Sequence, residues 1–522
     1  MHDNPLIFDK SFSTGFNYKK LSYNLFINHK SSDGYDLTNS DYTEGITTNI
    51  NKTLERYNSI SIAQKLQFKF NQNLDLIFNL RNYNKEILKY KQVNAPSLSC
   101  TCLQDENPYF SDRSISLSLR KKISSKSNLL ISYQDEMYAK SYYYPYYNAS
   151  IQSLILDEEE FNFSSLDLDG EKILWSTPIT KTTSVIYDAT FKKHLIMIGL
   201  DYIDESYESR NIYNASGDTI LVSSIFDDNK TYNMYEASFF LTDNFNINQL
   251  ELNIGLRATY QSKYKTKYSP SISIRGKQLE NYNIRLNYSH NYRTPSVKEL
   301  YYEFPDHQAG FPVLGNPNLN PSTSNYYSVS IESREYLNRS AELYYNHVTN
   351  MIANKFEEVE NEIVYMYHNY KEVDLYGLNI NSSFNISKNL TLNSVYSYTE
   401  ATSQFEDVMD GISKHSMKIR LNYIFSSNMS MGLSMHYNSK KRIDVSLEDQ
   451  NNDRTEIDLP GYSLTNITFT KTFMSNLSFK FGIKNLFDYT DHNNSFPDFL
   501  SSYMPGRRFF ISINLDFSRD IK

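Results

Sequence analysis

Few residues in this chain stand close enough together to do chemistry. The sharpest group is His307, set between Phe304 and Phe311 in Phe304-Pro305-Asp306-His307-Gln308-Ala309-Gly310-Phe311. An imidazole is a good transition-metal ligand, and two phenyl rings offer apolar contacts to a flat ligand. The competing reading is a solvated loop histidine that binds nothing. Cys100 and Cys102 are the only cysteines, separated by Thr101. In an exported chain an even count favours a disulfide, here closing a tight ring, with free thiols as the alternative. A metal site needs more ligands than this pair supplies. Asp157-Glu158-Glu159-Glu160, with Asp167 and Asp169, offers oxygen ligands suited to Ca2+, but without EF-hand spacing a solvated acidic loop is preferred. Tyr142-Tyr143-Tyr144-Pro145-Tyr146-Tyr147 is an aromatic cluster that suits either a planar ligand or a membrane rim. No nucleophile elbow or metallohydrolase motif is present, so the reading is not an enzyme.

The elements that carry these residues alternate with a period of two. Leu21, Tyr23, Leu25 and Ile27 oppose Ser22, Asn24, Phe26 and Asn28. Leu250, Leu252, Ile254 and Leu256 oppose Glu251, Asn253, Gly255 and Arg257, and Met417, Ile419, Leu421 and Tyr423 oppose Lys418, Arg420 and Asn422. Successive strand side chains point to opposite faces, so each segment has a dry face and a wet one. Charges recur in mid-strand on the wet face, as in a barrel whose apolar face meets lipid and whose polar face lines water. A soluble sandwich would instead bury its apolar face against a second sheet.

Composition fits the membrane reading. The 522 residues include 45 Tyr and 31 Phe but one Trp, and mean hydropathy is -0.56. Alternating strands average to a polar score, so this value does not argue against a barrel. No run approaches the ~20 apolar residues of a transmembrane helix. The net charge of -8 argues against a nucleic-acid partner. Met1-His2-Asp3-Asn4-Pro5 lacks the basic and apolar segments of an export signal.

Short turns rich in Asn, Ser, Lys and Gly are expected near 17–20, 71–73, 124–127, 192–194, 246–249, 276–281, 336–339, 387–389, 426–428 and 474–476. Longer connections between them include 31–58, 82–112, 138–182, 204–232, 292–324, 399–414 and 440–458. Short periplasmic turns and long external loops are the asymmetry of outer-membrane barrels. The ten hairpins and a last strand over Arg507–Phe517 give about 21 strands. Bacterial barrels usually have an even count, so we expect strand one, and what precedes it, upstream of Met1.

Two stretches carry a resemblance. One is Tyr292-Arg293-Thr294-Pro295-Ser296-Val297-Lys298-Glu299-Leu300-Tyr301 followed by Gly315-Asn316-Pro317-Asn318-Leu319-Asn320-Pro321. The other is Gly482-Ile483-Lys484-Asn485-Leu486-Phe487-Asp488, then Pro505-Gly506-Arg507-Arg508-Phe509 and a strand to Phe517. Together they resemble the TonB-dependent outer-membrane receptors. Physically, Pro295 cannot donate a ladder hydrogen bond, so the strand ending at Tyr292 should stop there. Gly315, Pro317 and Pro321 punctuate a turn-rich return to a strand near Asn325.

The resemblance implies a 22-strand antiparallel transmembrane barrel occupying 1–522, without the family's signal peptide and plug. It implies uptake of a scarce large solute, an iron chelate (haem or siderophore) first and cobalamin second, with a passive porin as the rival of another class. In haem receptors of this family an aromatic-Arg-x-Pro box and an Asn-Pro-x-Leu box flank a loop with a haem-ligating His. Here these are Tyr292-Arg293-Thr294-Pro295, His307 and Asn316-Pro317-Asn318-Leu319, so His307 is the candidate axial ligand, and haem would be cargo, not a resident cofactor. Phe517 resembles the family's C-terminal assembly signal, although Ser518–Lys522 follow it. Implied partners are outer-membrane lipid, the periplasmic TonB complex through the upstream region, and a surface lipoprotein. The remaining histidines show no metal spacing and are read as lumen, turn or loop residues; His290, just before the Tyr-Arg-Thr-Pro box, is a candidate for the upper lumen.

Overall fold

The structure, a computed structural model, describes residues 6–34, 56–88, 90–95, 100–105, 107–143, 172–209, 230–279, 281–304, 313–333, 339–359, 362–403, 412–445, 455–474, 476–490 and 506–516. The chain runs as β1 (Ile7–Tyr18), β2 (Leu21–Ser32), β3 (Arg56–Asn71), β4 (Leu74–Leu88), β5 (Tyr90–Ala95), β6 (Cys100–Asp105), β7 (Asn107–Ser124), β8 (Ser127–Tyr143) and β9 (Lys172–Phe191). It continues as β10 (His194–Ser209), β11 (Lys230–Ile247), β12 (Leu250–Gln261), β13 (Lys267–Leu279), β14 (Tyr282–Arg293), β15 (Glu303–Phe304), β16 (Val313–Leu314), β17 (Ser322–Ser333), β18 (Arg339–Val359) and β19 (Glu362–Asn385). It ends with β20 (Leu390–Ser403), β21 (His415–Ser426), β22 (Met429–Asn438), β23 (Lys441–Val445), β24 (Thr455–Leu459), β25 (Tyr462–Met474), β26 (Leu477–Lys484) and β27 (Arg508–Leu515).

One sheet holds 23 of these strands. Two of them, β15 and β16, are two-residue strands within a loop, and the remaining 21 form an antiparallel meander, as the turn rhythm predicts. The strand ends bracket the expected short turns, of which 336–338 lies outside the described residues, and β14 continues one residue past Tyr292, to Arg293. Several expected loops are shorter than the sequence suggests. Within 82–112 the strands extend to Leu88 and resume at Asn107, with the separate hairpin β5–β6 between them. Within 440–458 the hairpin β23–β24 forms. Polar residues continue these strands because, beyond the bilayer, cross-strand pairing no longer needs an apolar face.

The two faces separate cleanly. Leu200, Phe239, Leu256, Leu286, Leu343 and Phe481 are exposed on one face, while charges occupy the other. On that second face Arg257 meets Asp201 at 2.9 Å, Arg275 meets Glu332 at 3.1 Å and Glu251 at 3.7 Å, and Arg285 meets Glu332 at 3.8 Å. Exposed leucine and phenylalanine on a sheet of this length identify the lipid side. Tyr288, Tyr327, Tyr345 and Tyr376 are cross-strand neighbours on β14, β17, β18 and β19. This row marks the outer interface, where a ring and a hydroxyl meet two solvents. Just beyond it, Asp374 accepts from Tyr345 Oη at 2.7 Å and pairs with His347 Nδ1 at 2.7 Å.

β1 and β27 both run from the long-loop end to the short-turn end; Asp516, just after β27, donates its N–H to Asn476 in a short turn. No ladder joins β1 to β27 among the described residues.

Candidate functional site

The external connection between β14 and β17 is ordered by its own sequence. Ser296 caps a one-turn helix, α1 (Val297–Tyr301): Glu299 N donates to Ser296 Oγ at 3.2 Å, and Ser296 N donates to Glu299 Oε2 at 2.7 Å. This reciprocal arrangement satisfies two orphan amides of the first turn. Arg293, at the end of β14, forms a salt bridge with the other Glu299 oxygen, tying strand to helix. Pro295 is fully buried at the junction.

The helix buries its apolar side. Val297, Leu300 and Tyr301 pack with Leu319 and with Met234 of β11, flanked by Tyr207, Tyr232, Ile352 and Tyr367. Met234 and Tyr232 share the charged face of the sheet with Glu236 and Ser238. α1 therefore sits inside. It touches β10 and β11 on one side and β18 and β19 on the other, across four intervening strands, so the sheet curls around it. The long-loop side and the upper lumen meet here.

Polar contacts lock the return segment. Asn316 Nδ2 donates to Tyr367 O at 3.0 Å, and Asn316 Oδ1 accepts from Asn318 N at 3.0 Å. Lys263, in the β12–β13 turn, donates through Nζ to Tyr301 Oη and Pro317 O, each at 3.0 Å. Tyr264 Oη donates to Leu319 O at 3.0 Å. That turn is itself held by the buried Gln261, whose Oε1 accepts from the amides of Lys263 and Tyr264. The Tyr232 and Tyr301 rings meet at a tilt of 38° with centroids 4.3 Å apart and share a 2.9 Å hydroxyl contact. Gly315 lies where a Cβ would come within 2.7 Å of the α1 backbone. The result is a tyrosine-rich shelf over the lumen into which Lys263 reaches from the neighbouring turn. Burial lowers the Lys263 ammonium pKa, and burial raises the Tyr264 and Tyr302 hydroxyls.

The second signature is a different lock. Asn485 takes a left-handed φ of 54° after β26, and its side chain bonds Tyr489 N and O at 2.9 and 2.7 Å. Leu486 O accepts from Arg507 Nε at 2.9 Å, and Asp488 Oδ1 accepts from Arg507 N at 2.6 Å, next to Gly506. These residues fix how β26 hands over to β27. Phe487 is 72% exposed and packs little.

The expected site residues therefore divide. Tyr292, Arg293, Pro295, Glu299, Leu300, Asn316, Pro317 and Leu319 come together in one folded loop. His307 and Phe311, and the side chain of Phe304, lie outside the described residues, as do the side chains of Cys100 and Cys102, the acidic run 157–160 and Phe517. The backbone of Phe304 is described, pairing with Val313. His290 does not face the lumen: it shares the Tyr288 face and lies 2.9 Å from Asn325 Oδ1, because strand parity puts Ser289 and Asn291 inside. Sequence reading missed Gln261, Lys263, Tyr264, Tyr207, Tyr232, Met234 and Tyr367, which come from distant strands and carry no local signal.

Residues 6–486 match the family described as TonB dependent receptor-like, beta-barrel, and the chain belongs to that family. Barrels of this family are outer-membrane proteins of Gram-negative bacteria. The fold is similar to that of the ferric enterobactin receptor PfeA from Pseudomonas aeruginosa in complex with BCV-L6, with a TM-score of 0.75 and 16% identity over 98% of this chain and 78% of that one. The siderophore receptor PirA from Acinetobacter baumannii aligns with a TM-score of 0.72 and 15% identity over 98% and 78%. The FrpB iron transporter from Neisseria meningitidis gives 0.70 and 10% over 98% and 79%. No curated protein matches by sequence.

Proposed function

We propose that this chain is the barrel of a TonB-dependent importer of a ferric chelate, with the shelf around α1 forming part of the external ligand site. The observation that carries the reading is the inward-folded, tyrosine-lined loop within a barrel of this family. Tyrosine hydroxyls and one buried-side lysine suit an aromatic, oxygen-rich ligand such as a ferric siderophore. That the fold neighbours are named as siderophore and iron receptors supports this choice. The competing cargo is haem, favoured by His307 between Phe304 and Phe311. Energy coupling would come through a plug and the TonB complex, with a surface lipoprotein as a further partner.

The parallel run of β1 and β27 supports one more strand between them, rising from the short-turn side. That strand would be antiparallel to both edges, giving 22.

Uptake of radiolabelled iron tests the reading. Cells carrying the receptor with its plug are offered a ferric siderophore, haem or cobalamin, with and without a working energy-coupling system. Energy-dependent accumulation of a ferric siderophore is the expected result. Haem uptake lost in His307→Ala would transfer the assignment to haem. Uptake of small solutes without coupling would make the protein a passive pore.

A further inference from the structure

The lumen is not electrostatically uniform. On β10–β18 its inner positions include Asp201, Glu251 and Glu332, and their cationic neighbours Arg257, Arg275 and Arg285 are tied to them in ion pairs. On β20–β22 and β25–β27 the pattern reverses. The inner positions there hold Lys418 and Arg420 on β21, Lys480 and Lys484 on β26, and Arg508 on β27. Strand pairing fixes this placement: Lys418 faces His436, Arg420 faces Ser434, Lys480 faces Thr470 and Lys484 faces Arg508. No inner position of these six strands carries a carboxylate. Among the described residues Lys418, Arg420, Lys480 and Lys484 form no ion pair, and all four are exposed on the lumen side.

The cations also run the length of the wall. Arg508 and Lys484 stand at the external ends of β27 and β26, Lys418 and Arg420 three and five residues in from the external end of β21, and Lys480 three residues above the start of β26 at the short-turn end. Neighbouring strands lie about 4.8 Å apart and residues two apart on a strand about 6.6 Å. Lys418 and Arg420, and likewise Lys484 and Arg508, are one such step apart, below the ~8 Å screening length at physiological salt, so potentials overlap within each pair, while β22 and β25 hold the two pairs three strand spacings, about 14 Å, apart. Low-dielectric walls focus such a field into the lumen.

We infer that the carboxylate-free wall from β21 through β22, β25 and β26 to β27 is an electropositive surface, its cations grouped on β21 and on β26–β27, that admits ferric chelates of net negative charge and discriminates against neutral ones. This deepens, and rests on, the ferric-chelate reading. It selects catecholate-type or carboxylate-bearing chelates, including haem with its propionates, over neutral hydroxamate complexes.

The test titrates the purified chain in detergent with a trianionic ferric tris-catecholate and a neutral ferric tris-hydroxamate, following quenching of intrinsic emission. At low salt the anion should bind at least about tenfold more tightly, and the preference should fall as salt rises. It should vanish in Lys418→Gln/Arg420→Gln/Lys480→Gln/Lys484→Gln, whose strand content by circular dichroism stays that of the parent. Equal affinity for both chelates, or a preference the variant retains, would overturn the inference. If neither chelate binds, the ferric-chelate reading itself fails, and the wall is read without a chelate. The reversal potential across a KCl gradient in planar bilayers should then show chloride preferred over potassium, and lose that preference in the variant. A non-selective or potassium-selective parent would overturn the electropositive surface. So would a variant that keeps its anion preference but no longer binds a plug supplied in trans, since the wall would then be a plug contact.

Discussion

Leu300 offers the most direct perturbation of the ligand shelf. It is fully buried, on a helix of five residues, and its neighbours Val297, Tyr301, Leu319 and Met234 form the small core that holds α1 inside the barrel. Leu→Ala at such a site costs about 2–5 kcal/mol, combining lost burial with the cavity left behind. A one-turn helix has almost no stability of its own, so the loss falls on docking of the loop. Taking a middle value of about 3 kcal/mol, the ratio of docked to undocked loop should fall by roughly 150-fold. The barrel ladders do not pass through Leu300 and should be unaffected. Hydrogen exchange reads both effects at once. The amides of Leu300, Tyr302, Gly315 and Asn316, which donate to Ser296, Lys298, Tyr302 and Glu299 carbonyls, should lose protection in Leu300→Ala. Those of β11 and β18 should keep theirs. Unchanged exchange in the loop would refute the view that this apolar cluster docks it. Matching loss of protection across the strands would refute the separation of loop from barrel.

Three further outcomes are expected. Gly315→Ala places a methyl group against the α1 backbone and should mimic Leu300→Ala in the exchange measurement, since backbone cannot move aside cheaply. Glu299→Gln removes the Arg293 ion pair and weakens the capping box. It should cost about 1–2 kcal/mol of loop docking, read as faster cleavage of the loop by added protease, with no change in barrel melting. The shelf should also respond to alkali. Burial raises Tyr264 and Tyr302, so their stabilising contribution is complete below their ordinary value of 10.0 and is lost as pH rises beyond it. Burial lowers Lys263 below 10.5, which penalises its charged form and adds stability as pH rises towards that value. Docking should therefore strengthen up to about pH 10 and fail above it, as followed by phenolate absorbance. Tyr264→Phe should remove one late-ionising hydroxyl, and an unchanged titration would remove this assignment.

The chain's local code determined a good deal by itself. Period-two alternation, such as Leu250–Leu256 against Glu251–Arg257, fixes which face of each strand is dry, because strand geometry leaves no other choice. Turn residues at ten places fixed the meander and its odd count. Ser296 and Glu299, three residues apart, are a capping box legible in the sequence, although the five residues of the helix they begin give too short a period to see. The external strands run longer than their sequence suggests where polar residues such as Lys85 and Glu86 continue pairing outside the bilayer. What needed the tertiary structure is everything that depends on how the sheet curls. Curling the sheet is what brings Met234, Lys263 and Tyr367 around Leu300. It also gathers Arg420, Lys484 and Arg508 onto one wall while Arg257 and Arg275 meet carboxylates on another. A single strand shows that a charge faces water; only the order of strands around the barrel shows which charges face it together.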